Sequence, residues 1–245
     1  MSPSLLDHFL AVLLIVLLPF EGRMEMRSLI SSVRHGVPGA RVTAFVRTIS
    51  MQWILVTALL LGWLAASRDW DLLGIRNLSL AGSAVGALAA ALTLALVVVQ
   101  YRGVKRLSPE RLAKFAVRSA DTLSLLPTTP LERNYFAALA ITAGICEEVL
   151  CRGFLFWYLS CWLSPWLVFV VASALFGAAH MYQGPKGVVR TAICGAFLGG
   201  IYWLSGSLWW AMLTHAIIDL GALPIASLLA PRPESRPECS AAPAA

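Results

Sequence analysis

The chain has 245 residues, 58% of them hydrophobic and only 13% charged, with a mean hydropathy of +0.75 and a formal net charge of +6. A soluble domain carries about 25% charged residues, so the composition excludes an ordinary water-soluble fold. The positive charge does not indicate nucleic acid either, because the Lys and Arg residues sit between apolar stretches, as they do beside membrane spans.

A bilayer core takes about 20 apolar residues per helix. Seven stretches fit that need, some loosely: 5–20, 42–66, 78–101, 135–162, 165–181, 188–205 and 208–229. The predicted fold class is therefore all-α, a polytopic transmembrane helical bundle of about seven spans, with one domain over residues 1–230. The Pro- and Ala-rich tail, 231–245, is expected to be disordered. Stretch 5–20 has no basic residue before it and no small-residue cleavage site after it, so it reads as a retained span and not a signal peptide. The first and fifth stretches are short, which fits a tilted or partly re-entrant segment.

The connections are amphipathic in two places, 22–34 and 108–120. Each can lie on anionic lipid or form a solvated helical connector. Gly82 with Gly86, and Gly195 with Gly199, have the spacing that lets membrane helices approach closely, a packing signal. Of the five cysteines, Cys146, Cys151, Cys161, Cys194 and Cys239, none has disulfide-type or metal-type spacing. Cys239 is too far from the C-terminus to be a prenylation site. With seven spans, nearly all of the nineteen Lys and Arg residues fall on one side, against Arg68 and Arg76 on the other. That asymmetry predicts the N-terminus outside and the C-terminus inside.

Three of the last four stretches break the apolar pattern. Glu147, Glu148 and Arg152 lie inside the fourth, Phe176 and His180 close the fifth, and His215 and Asp219 lie inside the last. An ionisable side chain at the bilayer centre costs about 2.5–3.5 kcal/mol on insertion scales, and marks function by default. Glu148 and Arg152 are four apart on a helix and can pair, while Glu147 is turned by about 100° from Glu148. One carboxylate is thereby neutralised and the other is left to face a cavity. Phe176 shares a face with His180, and His215 with Asp219.

A carboxylate with two imidazoles and no evident nucleophile fits water activation. A poorly solvated carboxylate is a useful general base, one histidine can hold the attacking water, and the other can donate to an oxyanion. Asp219 is positioned to fix the tautomer of His215. A lone buried histidine is more often a packing residue, and His8 is read that way. A Glu–Arg pair alone is often a structural clasp, and proton transport also uses buried acids and histidines.

These residues resemble a known family. Glu147-Glu148-x-x-x-Arg152, Phe176-x-x-x-His180 and His215-x-x-x-Asp219 look like the three motifs of the CPBP family, which comprises type II CAAX prenyl endopeptidases and bacteriocin-processing, Abi-like relatives. The resemblance covers residues 135–220. It implies an intramembrane endopeptidase open toward the cytoplasmic side, acting on a membrane-bound or C-terminally anchored protein or a lipidated peptide. The catalytic residues it implies are Glu147 and His180 for water activation, and His215 and Asp219 at the oxyanion side, with Glu148 and Arg152 supporting the site. Here the last position is Asp, and an ionised Asp cannot donate to an oxyanion, so it is read as orienting His215. No cofactor is expected on a glutamate mechanism. A zinc version held by Glu147, His180 and His215 is the alternative, as is a non-catalytic membrane partner or immunity protein of the same fold. The short chain and its loops point to a bacterial inner membrane, with no nucleic-acid partner.

Overall fold

The structure, a computed structural model, describes residues 2–118 and 126–229, so the predicted tail with Cys239 lies outside the described residues. Everything regular in the described residues is helical. The helices are α1 (Leu5–Arg34), α2 (Ala40–Ala65), α3 (Leu80–Lys105), α4 (Pro109–Arg118), α5 (Pro130–Glu148), α6 (Phe156–Ser160), α7 (Pro165–Ala179), α8 (Gly184–Ser205), α9 (Leu208–Leu220) and α10 (Ala222–Leu229). A π-helical stretch, Val149–Leu155, joins α5 to α6 without a break in the helical path.

Polar residues at the starts of these helices satisfy the free N–H groups there. Ser4 and Asp7 form a capping box at the start of α1, and Thr129 and Glu132 form another at α5, where Pro130 follows the cap. Ser79 caps α3 by accepting from Gly82 N at 3.0 Å. The turn between α8 and α9 needs a left-handed residue, which Gly206 supplies at φ +70°.

Among the described residues, five helical stretches are long and apolar enough to cross a membrane: Leu5–Arg34, Ala40–Ala65, Leu80–Lys105, Met181–Ser205 and Leu208–Leu229. The other two predicted spans are the α5–α6 leg, which carries the acids, and α7, at 15 residues. At 1.5 Å per residue α7 is only about 22 Å long, short of a hydrocarbon core of about 30 Å. The first predicted span is not short. It continues unbroken to Arg34, so 22–34 is the end of α1 and not a separate surface helix. Arg47 of α2 ties that end down, with Nη2 3.1 Å from Glu21 and Nε 3.6 Å from Glu25. The other basic connection does form a helix, α4.

Contacts between helix ends show seven legs running alternately in opposite directions. At one end the Arg68 guanidinium donates to Asp7 at 2.8 and 2.5 Å, His8 Nδ1 is 2.8 Å from the Tyr158 hydroxyl, and Leu208 N donates to Gly74 O at 3.1 Å. At the other end, Arg41 is 3.6 Å from Glu132, and Gly22 faces the Tyr182 ring. The leg containing α5 packs between α2 and α9. Small residues allow this closeness: a Cβ on Gly144 would lie 2.9 Å from the Ala216 backbone N, and one on Gly86 would meet the Trp210 ring.

The bundle exposes an apolar surface and buries a polar cluster beside its apolar core. Leu88, Leu92, Leu96 and Val99 on α3 are exposed, while Asp7, Gln52, Glu148, Arg152, Thr214 and His215 are buried. That is the distribution a lipid solvent selects. Arg68 belongs to this interior. Its guanidinium lies 4.5 Å from the Trp157 ring centroid and 5.0 Å from that of Trp63, so it is a paired structural cation and not a free loop charge. Removing one member of a buried ion pair strands the other. Arg68→Met is expected to destabilise the protein by about 3 kcal/mol. In thermal unfolding in detergent, the double variant Asp7→Leu/Arg68→Met should be more stable than Arg68→Met alone.

Candidate active site

The α5 helix ends in the two acids, and they have different surroundings. Glu148 has 0% exposure, and its Oε1 accepts from Arg152 Nη1 at 2.7 Å and lies 2.8 Å from His215 Nδ1. Arg152, in the π-helical stretch and 2% exposed, reaches across with Nη2 to the Gly195 carbonyl of α8 at 2.9 Å. Its guanidinium carbon stands 4.3 Å from the Phe176 ring centroid, a cation–π contact. Phe176 in turn packs against His215 and His180, with centroids 6.0 and 5.0 Å apart. Gly195 is thus more than a packing glycine: its carbonyl holds Arg152, and a Cβ there would stand 3.0 Å from Phe176.

The two histidines are held in the same way. His180 Nδ1 lies 2.9 Å from the Phe176 carbonyl one turn earlier. A carbonyl only accepts, so Nδ1 carries the hydrogen and Nε2 is left for the site. His215 Nδ1 faces the Glu148 carboxylate, which also only accepts, so its Nε2 is again the free nitrogen. That nitrogen points toward Asp219, 3.7 Å from Oδ2. The orienting acid for His215 is therefore Glu148 from the neighbouring helix. Asp219 faces the other ring nitrogen, outside hydrogen-bond distance.

Glu147 points elsewhere, as the helix turn requires. Its Oε1 accepts from Gln52 Nε2 of α2 at 2.9 Å. Among the described residues no hydrogen bond or ion pair joins Glu147 to His180 or His215. Tyr182 lies beside His180, with ring centroids 5.6 Å apart, on the side of the bundle where α1 ends. Sequence reasoning missed Gln52. Its signal was an amide placed in the middle of an apolar span, with no spacing relation to any acid.

The zinc alternative needs Glu147, His180 and His215 to converge. Among the described residues no group of three His, Cys, Asp or Glu side chains is placed to hold a metal ion. Each histidine has Nδ1 engaged, by the Phe176 carbonyl or Glu148, and Nε2 left over. No step below is routed through a metal. Cys146, Cys151, Cys161 and Cys194 are free thiols.

The fold and the site define a class: a helical membrane protein that buries an acid–base cluster between its later helices. Residues 130–221, which hold all three motifs, match the family described as type II CAAX prenyl endopeptidase, Rce1-like. The resemblance read from the motifs thus holds over this stretch, which is less than half of the chain. The matched family is one of prenyl endopeptidases, and the helices around the matched stretch are long and apolar enough to cross a membrane. Searches of curated proteins and of solved structures give no match.

Arg152 bridges α5, α7 and α8 while neutralising a fully buried acid. Arg152→Met leaves the Glu148 carboxylate short of its cation and the Gly195 carbonyl without its donor. The expected cost is about 3–5 kcal/mol, read as a lower thermal midpoint in detergent. Arg152→Lys should recover only part of it, since an ammonium lacks the planar fork that reaches both acceptors.

Proposed function

We propose that the protein is an intramembrane endopeptidase that cleaves a membrane-bound or C-terminally anchored protein by glutamate-activated water. Glu147 is the general base. The observation that carries this reading is the unequal treatment of the two acids: Glu148 is tied to Arg152 and His215, while among the described residues Glu147 has no ion pair and accepts one amide hydrogen bond. A carboxylate so placed is free to take a proton.

The reaction balances with these residues alone. Glu147 removes a proton from water as the oxygen attacks the scissile carbonyl carbon. His180 presents Nε2 to the same water, its ring fixed by the Phe176 carbonyl. The carbonyl becomes an oxyanion, to which His215 donates from Nε2. For that the ring must carry both protons, and Glu148 and Asp219 are the negative partners of that form. Glu147 then passes its proton to the leaving amine, releasing an acid and an amine. Such a site keeps most solvent out, so each interaction is stronger than it would be in bulk water.

His180 and Tyr182 lie at the end of the bundle where α1 packs on the α7–α8 turn, and a substrate approaching from that end meets His180 first. The connections at that end hold most of the Lys and Arg residues, and Arg68 at the opposite end is neutralised by Asp7. The positive-inside rule supports reading that end as the cytoplasmic side of a bacterial inner membrane, with the N-terminus outside. The matched family is described as CAAX prenyl endopeptidases. For this chain the reading is a membrane-anchored protein whose cleavage site reaches the cytoplasmic interface, prenylated or not.

Glu147→Gln keeps the shape of the side chain and its contact with Gln52 while removing its basicity. Turnover should fall by about 10²–10⁴-fold with the thermal midpoint unchanged. Comparison of membrane proteomes from cells carrying either form should show an uncleaved precursor accumulating with the variant. Identical proteomes would count against hydrolysis and for a non-catalytic partner. His180→Ala should slow cleavage of the same precursor, while His8→Ala, at the other end of the bundle, should not.

A further inference from the structure

The first half of the chain lies outside the matched family region, yet it sends one polar side chain into the site. Gln52 sits midway along α2 and is only 8% exposed, with Leu55, Val56 and Leu59 buried on the same helix. Its Nε2 donates to Glu147 Oε1 at 2.9 Å. Its Oε1 is buried and accepts from no protein group among the described residues. Buried amides that only brace a fold are normally satisfied at both ends. A half-satisfied one stands where a further donor enters.

The placement is built into the helix pair. Arg41 faces Glu132 at 3.6 Å, the Phe45 and Phe136 rings meet edge-on at 5.6 Å, and Gln52 faces Glu147. These three pairs lie along one face of α2 and one face of α5, and both helices run from the same end of the bundle. The register set by the first two contacts delivers the amide to the carboxylate.

We infer that Gln52 is a positioning residue for hydrolysis: its N–H holds one oxygen of Glu147, fixing the carboxylate plane and leaving Oε2 to take the proton from water. The inference rests on Glu147 as the base. Hydrogen bonding to a carboxylate favours the ionised form, and its loss disfavours it. Removing the donor therefore has two effects. The carboxylate rotates more freely, which slows turnover, and a higher pH is needed to ionise it. A merely structural amide would produce only the first.

The test uses Gln52→Leu, which removes the amide, and Gln52→Asn, which keeps it at shorter reach. One readout is the pH profile of processing, in isolated membranes, of the precursor that accumulates under Glu147→Gln. The other is pH-titrated infrared difference spectroscopy of the purified protein in nanodiscs, where the carboxyl band absent from Glu147→Gln reports this side chain. Gln52→Leu is expected to slow processing about tenfold or more, and to move the acid limb and the infrared midpoint together. Gln52→Asn should do the same to a smaller degree, and it replaces the Leu variant if that one fails to accumulate in membranes. Unchanged processing overturns the inference. So does slower processing with both midpoints unmoved, which marks a packing role. If Glu147→Gln cells process every precursor normally, the hydrolytic reading falls. The infrared midpoint then decides by itself whether Gln52 governs the Glu147 carboxylate.

Discussion

One carboxylate oxygen organises the second half of this bundle. Glu148 Oε1 is met by Arg152 from its own leg and by His215 from α9, while Arg152 continues to the α8 backbone and lies on Phe176 of α7. Four helical legs thus meet on a single buried acid. In a lipid solvent there is little hydrophobic force to bring helices together. A charge that must find partners inside the protein is therefore a strong constraint on which helices pack and in what register. The network places His215, turns its ring, and frees the neighbouring acid from any structural duty.

The division of labour follows from helix geometry. Adjacent residues on a helix point about 100° apart, so two consecutive acids cannot share one environment. Glu148 faces inward, and its Oε1 is met by both Arg152 and His215. Glu147 faces α2 and has one neutral partner. The same principle acts at the histidines. Each imidazole has one nitrogen tied to an acceptor that cannot donate, which fixes where the other nitrogen must do its work. Gly195 and Gly144 make these distances possible, because a side chain at either would push α8 from α7 or α9 from α5.

Much of this was legible in the sequence where the relation was local. The Glu148–Arg152 pair, the shared face of Phe176 and His180, and the nearness of His215 to Asp219 all follow from spacing on one helix. Relations between helices were not legible. That His215 is oriented by Glu148 rather than by Asp219, and that Gln52 meets Glu147, depends on the relative register of helices far apart in the chain. No periodicity encodes that register. The π-helical stretch Val149–Leu155 was equally invisible, since nothing in its apolar composition announces a wider turn. The first span was read too short for a related reason. Hydropathy falls after Phe20, but helical hydrogen bonding continues, and the ion pairs to Arg47 hold the polar end of α1 in line.

The polar contacts at the two ends of the bundle differ in kind, and the difference says where chemistry can occur. The Asp7–Arg68 pair is closed. Its carboxylate accepts from Arg68 and Ser4, and the guanidinium lies near Trp63 and Trp157. The site at Glu147 is open, with Gln52 Oε1 and Glu148 Oε2 both buried without a protein donor. A saturated network resists change and holds a fold together. An unsaturated one inside a membrane is stable only if small polar molecules or a substrate backbone complete it, since an unpaired buried polar group costs about 1–3 kcal/mol. Hydrolysis requires both a water molecule and a peptide bond to enter, and the bundle leaves its acceptors unfilled beside the acid that has no cation to hold it.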